Sequence, residues 1–160
     1  MKILIAIDGS QCSKNAVESV ATRLWHEGTE FLILSVVEPL SLQGGLWMPS
    51  EGPQEALIRQ HELLVETEVV ELRDKLPNQT ISGKVMEGHI VDGIVLTAEE
   101  WDADFIIMGS HGRKGISRFM LGSVAESVLS HSPCSVEVIK GHKVPGEPKG
   151  QKDSKVASQT

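Results

Sequence analysis

Asp104-Phe105-Ile106-Ile107-Met108-Gly109-Ser110-His111-Gly112, followed nine residues later by Gly122-Ser123, is the stretch on which the reading of this chain turns. Its first part is a short apolar run, and its last glycine-serine pair leads into a helical pattern from Ser123 to His131. Glycines at the end of a strand let a backbone come close to a ligand with no Cβ in the way. A Gly-Ser pair at the start of a helix offers unsatisfied N–H groups and the positive end of the dipole to an anion. Strand, glycine loop, glycine-serine and helix, in that order, make the chemistry of a nucleotide phosphate site.

Outward from this stretch, short apolar runs alternate with longer amphipathic ones. Lys2–Ile7, Phe31–Val37, Thr80–Glu87, Asp104–Met108 and Cys134–Ile139 read as strands. Ser13–His26 reads as a helix, with Ala16, Val17, Val20, Ala21 and Leu24 at helical spacing and Gly28 ending it. Gln54–Leu76 reads as a long helix with Leu57, His61, Leu64, Glu68 and Leu72 along one face, stopped by Pro77-Asn78. Val91–Glu100 reads as a helix capped by Asp92, and Ser123–His131 as the last one. The expected fold is therefore α/β: an open, doubly wound, five-stranded parallel sheet with helices on both faces and right-handed crossovers. Ligands of such sheets bind at the carboxyl ends of the strands, at the switch point of strand order. Asp8 and Gly109 both end strands at that edge, and if those strands are neighbours they wall one cleft.

Bulk properties narrow the function. The 160 residues are one domain's worth, and the hydrophobic fraction of 40% is that of an ordinary globular chain. No apolar run approaches the ~20 residues that span a bilayer, and the acid at Asp8 makes the N-terminus a strand rather than a leader. The expectation is a cytoplasmic protein without a membrane partner. A net charge of −7 argues against sequence-independent binding to nucleic acid, so any polyanion needs a local site. Cys12 and Cys134 form no CxxC pair and are read as reduced thiols, with a redox role for Cys12 as the rival reading because of its place near a helix start. Residues 141–160 carry Gly, Pro, Lys, Ser and Gln with little apolar content and are expected to form a disordered tail after a domain at 1–140.

Familiar phosphate motifs fail. A Walker A loop needs Lys-Ser or Lys-Thr after its last glycine, and Gly109 to Gly115 supplies only Arg113-Lys114. GxGxxG is absent because the glycines fall at 109, 112, 115 and 122. The spacing Gly-x2-Gly-x9-Gly-Ser resembles instead that of the universal stress protein family, in its ATP-binding branch. The resemblance runs from residue 1 to about 140. It takes in Asp8-Gly9-Ser10, Val36-Val37, Ala103 to Ser110, Leu121-Gly122-Ser123-Val124-Ala125 and Ser132-Pro133-Cys134.

That resemblance implies a Rossmann-like sheet of the adenine nucleotide alpha hydrolase kind and an adenine nucleotide, ATP or else ADP or AMP, with Mg2+ on its phosphates. Asp8 matches the acid on the ribose hydroxyls. Ala6, Val36, Val37 and Met108 fall where the family lines its adenine pocket. Gly109 and Gly112 match the glycines passing ribose and phosphate, and Gly122, Ser123 and Val124 the positions holding phosphates through backbone N–H groups and the Ser123 hydroxyl. Val124 stands where some binders have a second hydroxyl. Arg113 and Lys114 would neutralise outer phosphates. The family also implies a homodimer across the last strand, Ser135, Val136, Glu137, Val138 and Ile139.

Rival readings stay open residue by residue. Asp8 also reads as a cap of the first helix or turn, and Ser123 with Glu126 as a capping box. Arg113, Lys114 and Arg118 also read as a solvated basic loop. Trp47 and Met48, in a loop from Pro39 to Pro53, read equally as an interaction patch or a lid over a nucleotide. His61 reads as a structural histidine and His111 as incidental. His26, His89, His131 and His142 have no carboxylate or cysteine at ligand spacing, so no metal site is expected from protein side chains. No general base accompanies the glycine loop. The expected function is a cytosolic, ATP-binding regulatory dimer of the stress response with slow hydrolysis at most. An adenylyl-transferring enzyme and a nucleotide-free dimeric module are the alternatives.

Overall fold

A computed structural model describes residues 1–39, 52–112 and 121–140. The Trp47–Met48 loop, Arg113, Lys114 and Arg118, and the tail beyond residue 140 lie outside the described residues. The elements follow one another as β1 (Lys2–Ala6), α1 (Gln11–Ala21), β2 (Glu30–Val37), α2 (Pro53–Lys75), β3 (Thr80–Glu87), α3 (Ile90–Glu100), β4 (Phe105–Gly109), α4 (Ser123–His131) and β5 (Ser135–Ile139). The five strands form one parallel sheet in the order β3-β2-β1-β4-β5. Strands β1 and β4 pair directly, Ile3 with Phe105 through Ala6 with Met108, so the switch point lies between them. None of the described helices is long and apolar enough to cross a membrane.

Side-chain alternation sorts the core into two layers. Ile3, Ile5, Phe31, Ile33 and Ile107 face α1 and α2, where Val17, Val20, Val65, Val69 and Leu72 meet them. Leu4, Ala6, Leu32, Leu34, Ile106 and Met108 face α3 and α4, packing on Ile94, Ala98, Ala125 and Val128. Both faces of β1, β2 and β4 are thus buried, which explains why these strands read as continuous apolar runs rather than alternating ones.

Three boundaries differ from expectation. Helix α1 ends at Ala21, not at His26. The Thr22 hydroxyl donates to Glu18 O at 3.0 Å and closes the last turn. Trp25 folds back, its Nε1 donating to Val20 O at 2.8 Å and its ring standing edge-on to Phe31 at 5.3 Å. Leu24, expected on the apolar face, is fully exposed, and Gly28 belongs to the turn before β2 with φ +77°. Helix α3 starts at Ile90 after His89, so Asp92 sits inside the first turn, 3.5 Å from His89 Nδ1, rather than at the cap. Helix α4 takes Gly122 as its N-cap, which moves Ser123 into the helix and removes the Ser123–Glu126 capping box.

The edge strand β5 is tied back to α1. Arg23 donates to both carboxylate oxygens of Glu137 at 2.6 and 2.7 Å, and this bidentate bond holds the Glu137 carboxyl below its usual range and the Arg23 guanidinium above its own. The carboxylate's contribution is present above the unfolded-state pKa and fades as pH falls through the lower folded one. Because both side chains are more than a third exposed, Arg23→Ala is expected to cost no more than about 1 kcal/mol, less at high salt, by urea denaturation. Leu72→Ala, which empties a fully buried site on α2, should cost about 3 kcal/mol in the same measurement.

Candidate functional site

Strand β1 runs into Asp8-Gly9-Ser10, a turn that only a glycine enters freely at Gly9, where φ is +78°. Asp8 Oδ1 accepts from Ser10 N at 3.0 Å, and Ser10 caps α1 by accepting from Ser13 N at 3.2 Å. The helix cap is therefore Ser10, and Asp8 fixes the turn that leads to it. The Ser10 hydroxyl donates to His111 O at 3.3 Å and joins this turn to the loop after β4.

The glycines of that loop are close-packing residues. A Cβ on Gly109 would lie 2.7 Å from the Cys12 carbonyl carbon and 2.8 Å from Ser13 N, so the end of β4 is pressed against the first turn of α1. A Cβ on Gly112 would lie 2.8 Å from Asp8 Oδ2, which places the acid of β1 beside the loop of β4. Gly122 N donates to Ser110 O at 2.9 Å, the same atom that a Gly122 Cβ would approach to 2.9 Å. The Gly122 N–H, expected on phosphate, is bonded to Ser110 O in this structure. Gly122, the N-cap of α4, makes no side-chain cap bond to the first-turn N–H groups, which include those of Ser123 and Val124.

These pieces enclose a cavity of about 760 Å³ at the carboxyl edge of the sheet. Ala6, Asp8, Val36, Val37, Met108, Gly109, Gly112, Gly122, Ser123 and Val124 all line it. Arg113 falls outside the described residues. Its apolar lining includes Val36 and Val37 from β2, Ile90 and Ile94, one turn apart on α3, and Leu57 of α2. Its polar lining includes Asp8, Ser13, Ser110, His111 and the start of α4.

His61, read from sequence as a structural residue, also lines this cavity while only 6% exposed. Its Nδ1 lies 2.8 Å from Ser35 Oγ, and Ser35 spends its own proton on Ile7 O at 2.9 Å. Glu38, Leu57, Ile90 and Ile94 were missed by the sequence reading. The i, i+4 spacing of Ile90 and Ile94 was the one signal available, and it reads equally as ordinary core.

Among the described residues the cavity holds the carboxylates of Asp8 and Glu38 and no lysine or arginine. No group of three or more His, Cys, Asp or Glu side chains among them is placed to hold a metal. An anion here would be met by the helix N-terminus and its amides, an arrangement that carries roughly half a positive charge.

A doubly wound parallel sheet with a glycine-lined cleft at its switch point defines a nucleotide-fold protein of the α/β class. Residues 1–140 match the Universal stress protein family, and the chain belongs to it. It is 33% identical over 144 residues to universal stress protein MJ0531 of Methanocaldococcus jannaschii, covering 87% of this chain and 81% of that one. Among solved structures it is similar to the protein MJ0577, at a TM-score of 0.71 and 26% identity, covering 89% of this chain and 96% of that one. A universal stress protein family member from Arabidopsis thaliana, solved with AMP bound, shares the fold at a TM-score of 0.61 and 20% identity, covering 89% and 92%.

Close packing at two glycines yields a direct test. Gly109→Ala and Gly122→Ala should each lower the melting temperature, by an amount equivalent to about 1–3 kcal/mol, because the neighbours are backbone atoms that cannot swing aside.

Proposed function

We propose that this chain binds an adenine nucleotide in the cavity at the β1–β4 switch point and acts as a cytoplasmic, nucleotide-responsive regulatory protein of the stress response. The observation that carries the reading is the convergence of Asp8, the Val36–Val37 wall and the N-terminus of α4 on one cavity. An aliphatic slot suits an adenine ring, a carboxylate accepts hydrogen bonds from ribose hydroxyls, and a helix N-terminus suits phosphate. The AMP bound to the Arabidopsis relative supports the same ligand class.

ATP is the preferred ligand of this reading, with ADP and AMP accommodated by the same adenine and ribose contacts. Magnesium would sit on the phosphates with water as its remaining ligands. Ser123 and Val124 would donate their N–H groups, and Arg113 would neutralise the outer phosphates. Hydrolysis would be slow, since fast phosphoryl transfer needs a positioned base and charge-stabilising groups around the attacked phosphorus. The open edge of β5 would pair with the same strand of a second copy, giving a homodimer. Its residues Ser135 to Ile139 are exposed or half-buried along the whole strand.

Protein purified without added nucleotide and then denatured should release adenine nucleotide, or the stripped protein should bind ATP·Mg2+ at one site per chain by calorimetry. An empty protein whose melting is unchanged by ATP would favour a nucleotide-free module instead. Release of pyrophosphate or an adenylylated product would favour the transferase. Asp8→Ala should weaken binding by about 1.5–3 kcal/mol, the scale of a hydrogen bond to a charged group. Light scattering should give a dimer mass, and a monomer at all concentrations would overturn the β5 pairing.

A further inference from the structure

A glycine inside a helix costs stability relative to alanine, because it loses more backbone freedom on folding. Among the described helices Gly93 is the one such glycine, buried as the fourth residue of α3. Its neighbours explain its presence. A Cβ there would lie 2.9 and 3.0 Å from the two Cγ atoms of Val36 and 3.3 Å from Met86 Sδ. Carbon atoms repel one another at such separations. The backbone of α3 therefore rests directly on the Val36 side chain of β2.

Val36 is also a lining residue of the switch-point cavity, as are Ile90 and Ile94 on either side of Gly93 in the chain. Ile90, Gly93, Ile94 and Thr97 share one face of α3. Gly93 does not itself line the cavity and acts on it through Val36. The neighbours of its missing side chain have little room to give elsewhere. Val36 is pinned in β2 by its pairing with Met86 of β3, and Met86 Sδ is met by Thr97 Oγ1 at 3.3 Å. Helix α3 cannot lift without drawing Ile94 and Ala98 out of the core. A side chain at position 93 would turn Val36 into the cavity or carry Ile90 and Ile94 away from it. Either movement remakes the apolar lining.

We propose that Gly93 is a positioning residue for the base of the bound nucleotide. Its missing side chain seats α3 on Val36, and so holds Val36, Ile90 and Ile94 at the spacing that takes a flat adenine ring. The stability lost by placing glycine in a helix is offset by this fit. The assignment rests on the nucleotide reading of the cavity and names the contact that shapes its apolar lining.

The test is calorimetric titration with ATP·Mg2+ of the stripped full chain, Gly93→Ala, Val36→Ala and the double variant, with the melting temperature of each. Gly93→Ala is expected to weaken binding about tenfold where the protein is fully folded, the scale of an overpacked contact. In the Val36→Ala background both Cγ atoms are gone, and the same substitution should change affinity by no more than about twofold. A lowered melting temperature with unchanged affinity would make Gly93 a core residue only and overturn the assignment. An equal loss of affinity with and without the Val36 side chain would overturn it too. If Gly93→Ala alone does not fold, the double variant decides. Recovered cooperative melting, with binding close to that of Val36→Ala, supports the assignment, and an unfolded or more weakly binding double variant overturns it. A parent that binds no adenine nucleotide would sink the nucleotide reading itself, and the role of Gly93 with it.

Discussion

At Gly109 the last residue of β4 touches the first turn of α1 backbone to backbone, with 2.7–2.8 Å left where any side chain would begin. Dispersion and hard-core repulsion at that point set the height of α1 above the sheet. The turn Asp8-Gly9-Ser10 is carried along with it, because Ser10 caps α1 and also bonds His111 O. Gly112 then fits against Asp8, and Gly122 is held to Ser110 O. The polar lining of the cleft is therefore made largely of main chain held by main chain. Such a surface changes little with side-chain rotamers, which suits a site that must present amides in fixed directions.

The sheet divides the molecule chemically as well as spatially. The face covered by α3 and α4 is apolar in its core, from Leu4 and Leu32 to Ile94 and Val128, apart from Thr97, which bonds Met86 Sδ. The face covered by α1 and α2 carries the polar exceptions Ser13, Ser35, His61 and Glu68. Three of these are satisfied by neighbours on β1, β2 or the α1 cap. Glu68 lies two turns further along α2, in the groove that α2 forms with α1. The long helix thus lines the cleft and this groove with residues of one buried stripe. The Arg23–Glu137 bond adds a third connection from α1, to the edge strand on which a second copy would pair.

Much of this fold was legible in the sequence. Strands buried on both faces appear as unbroken apolar runs, so β1, β2 and β4 were visible within a residue or two. Both ends of β3 and α4 were read correctly, since Gly122 and Pro77-Asn78 punctuate the chain nearby. The end of α1 was not legible: it depends on a Thr22 hydroxyl closing the last turn and on Trp25 folding back to Phe31, a residue of the next strand. Placing a cap on Ser123 or Asp92 failed for a related reason. Residue type names a possible cap, but the direction from which the chain enters the helix decides which residue becomes it.

The sequence by itself determined the alternation of strand and helix and the doubly wound class, and it marked the loop glycines and Asp8 as one candidate site. Local spacing and side-chain chemistry suffice for those. Only the tertiary structure decided that β1 and β4 are neighbours, that the Gly122 N–H donates to Ser110 O, and that His61 lines the cleft. Each of these depends on atoms distant in sequence being brought within a few ångströms, and no periodicity in the chain encodes such a distance.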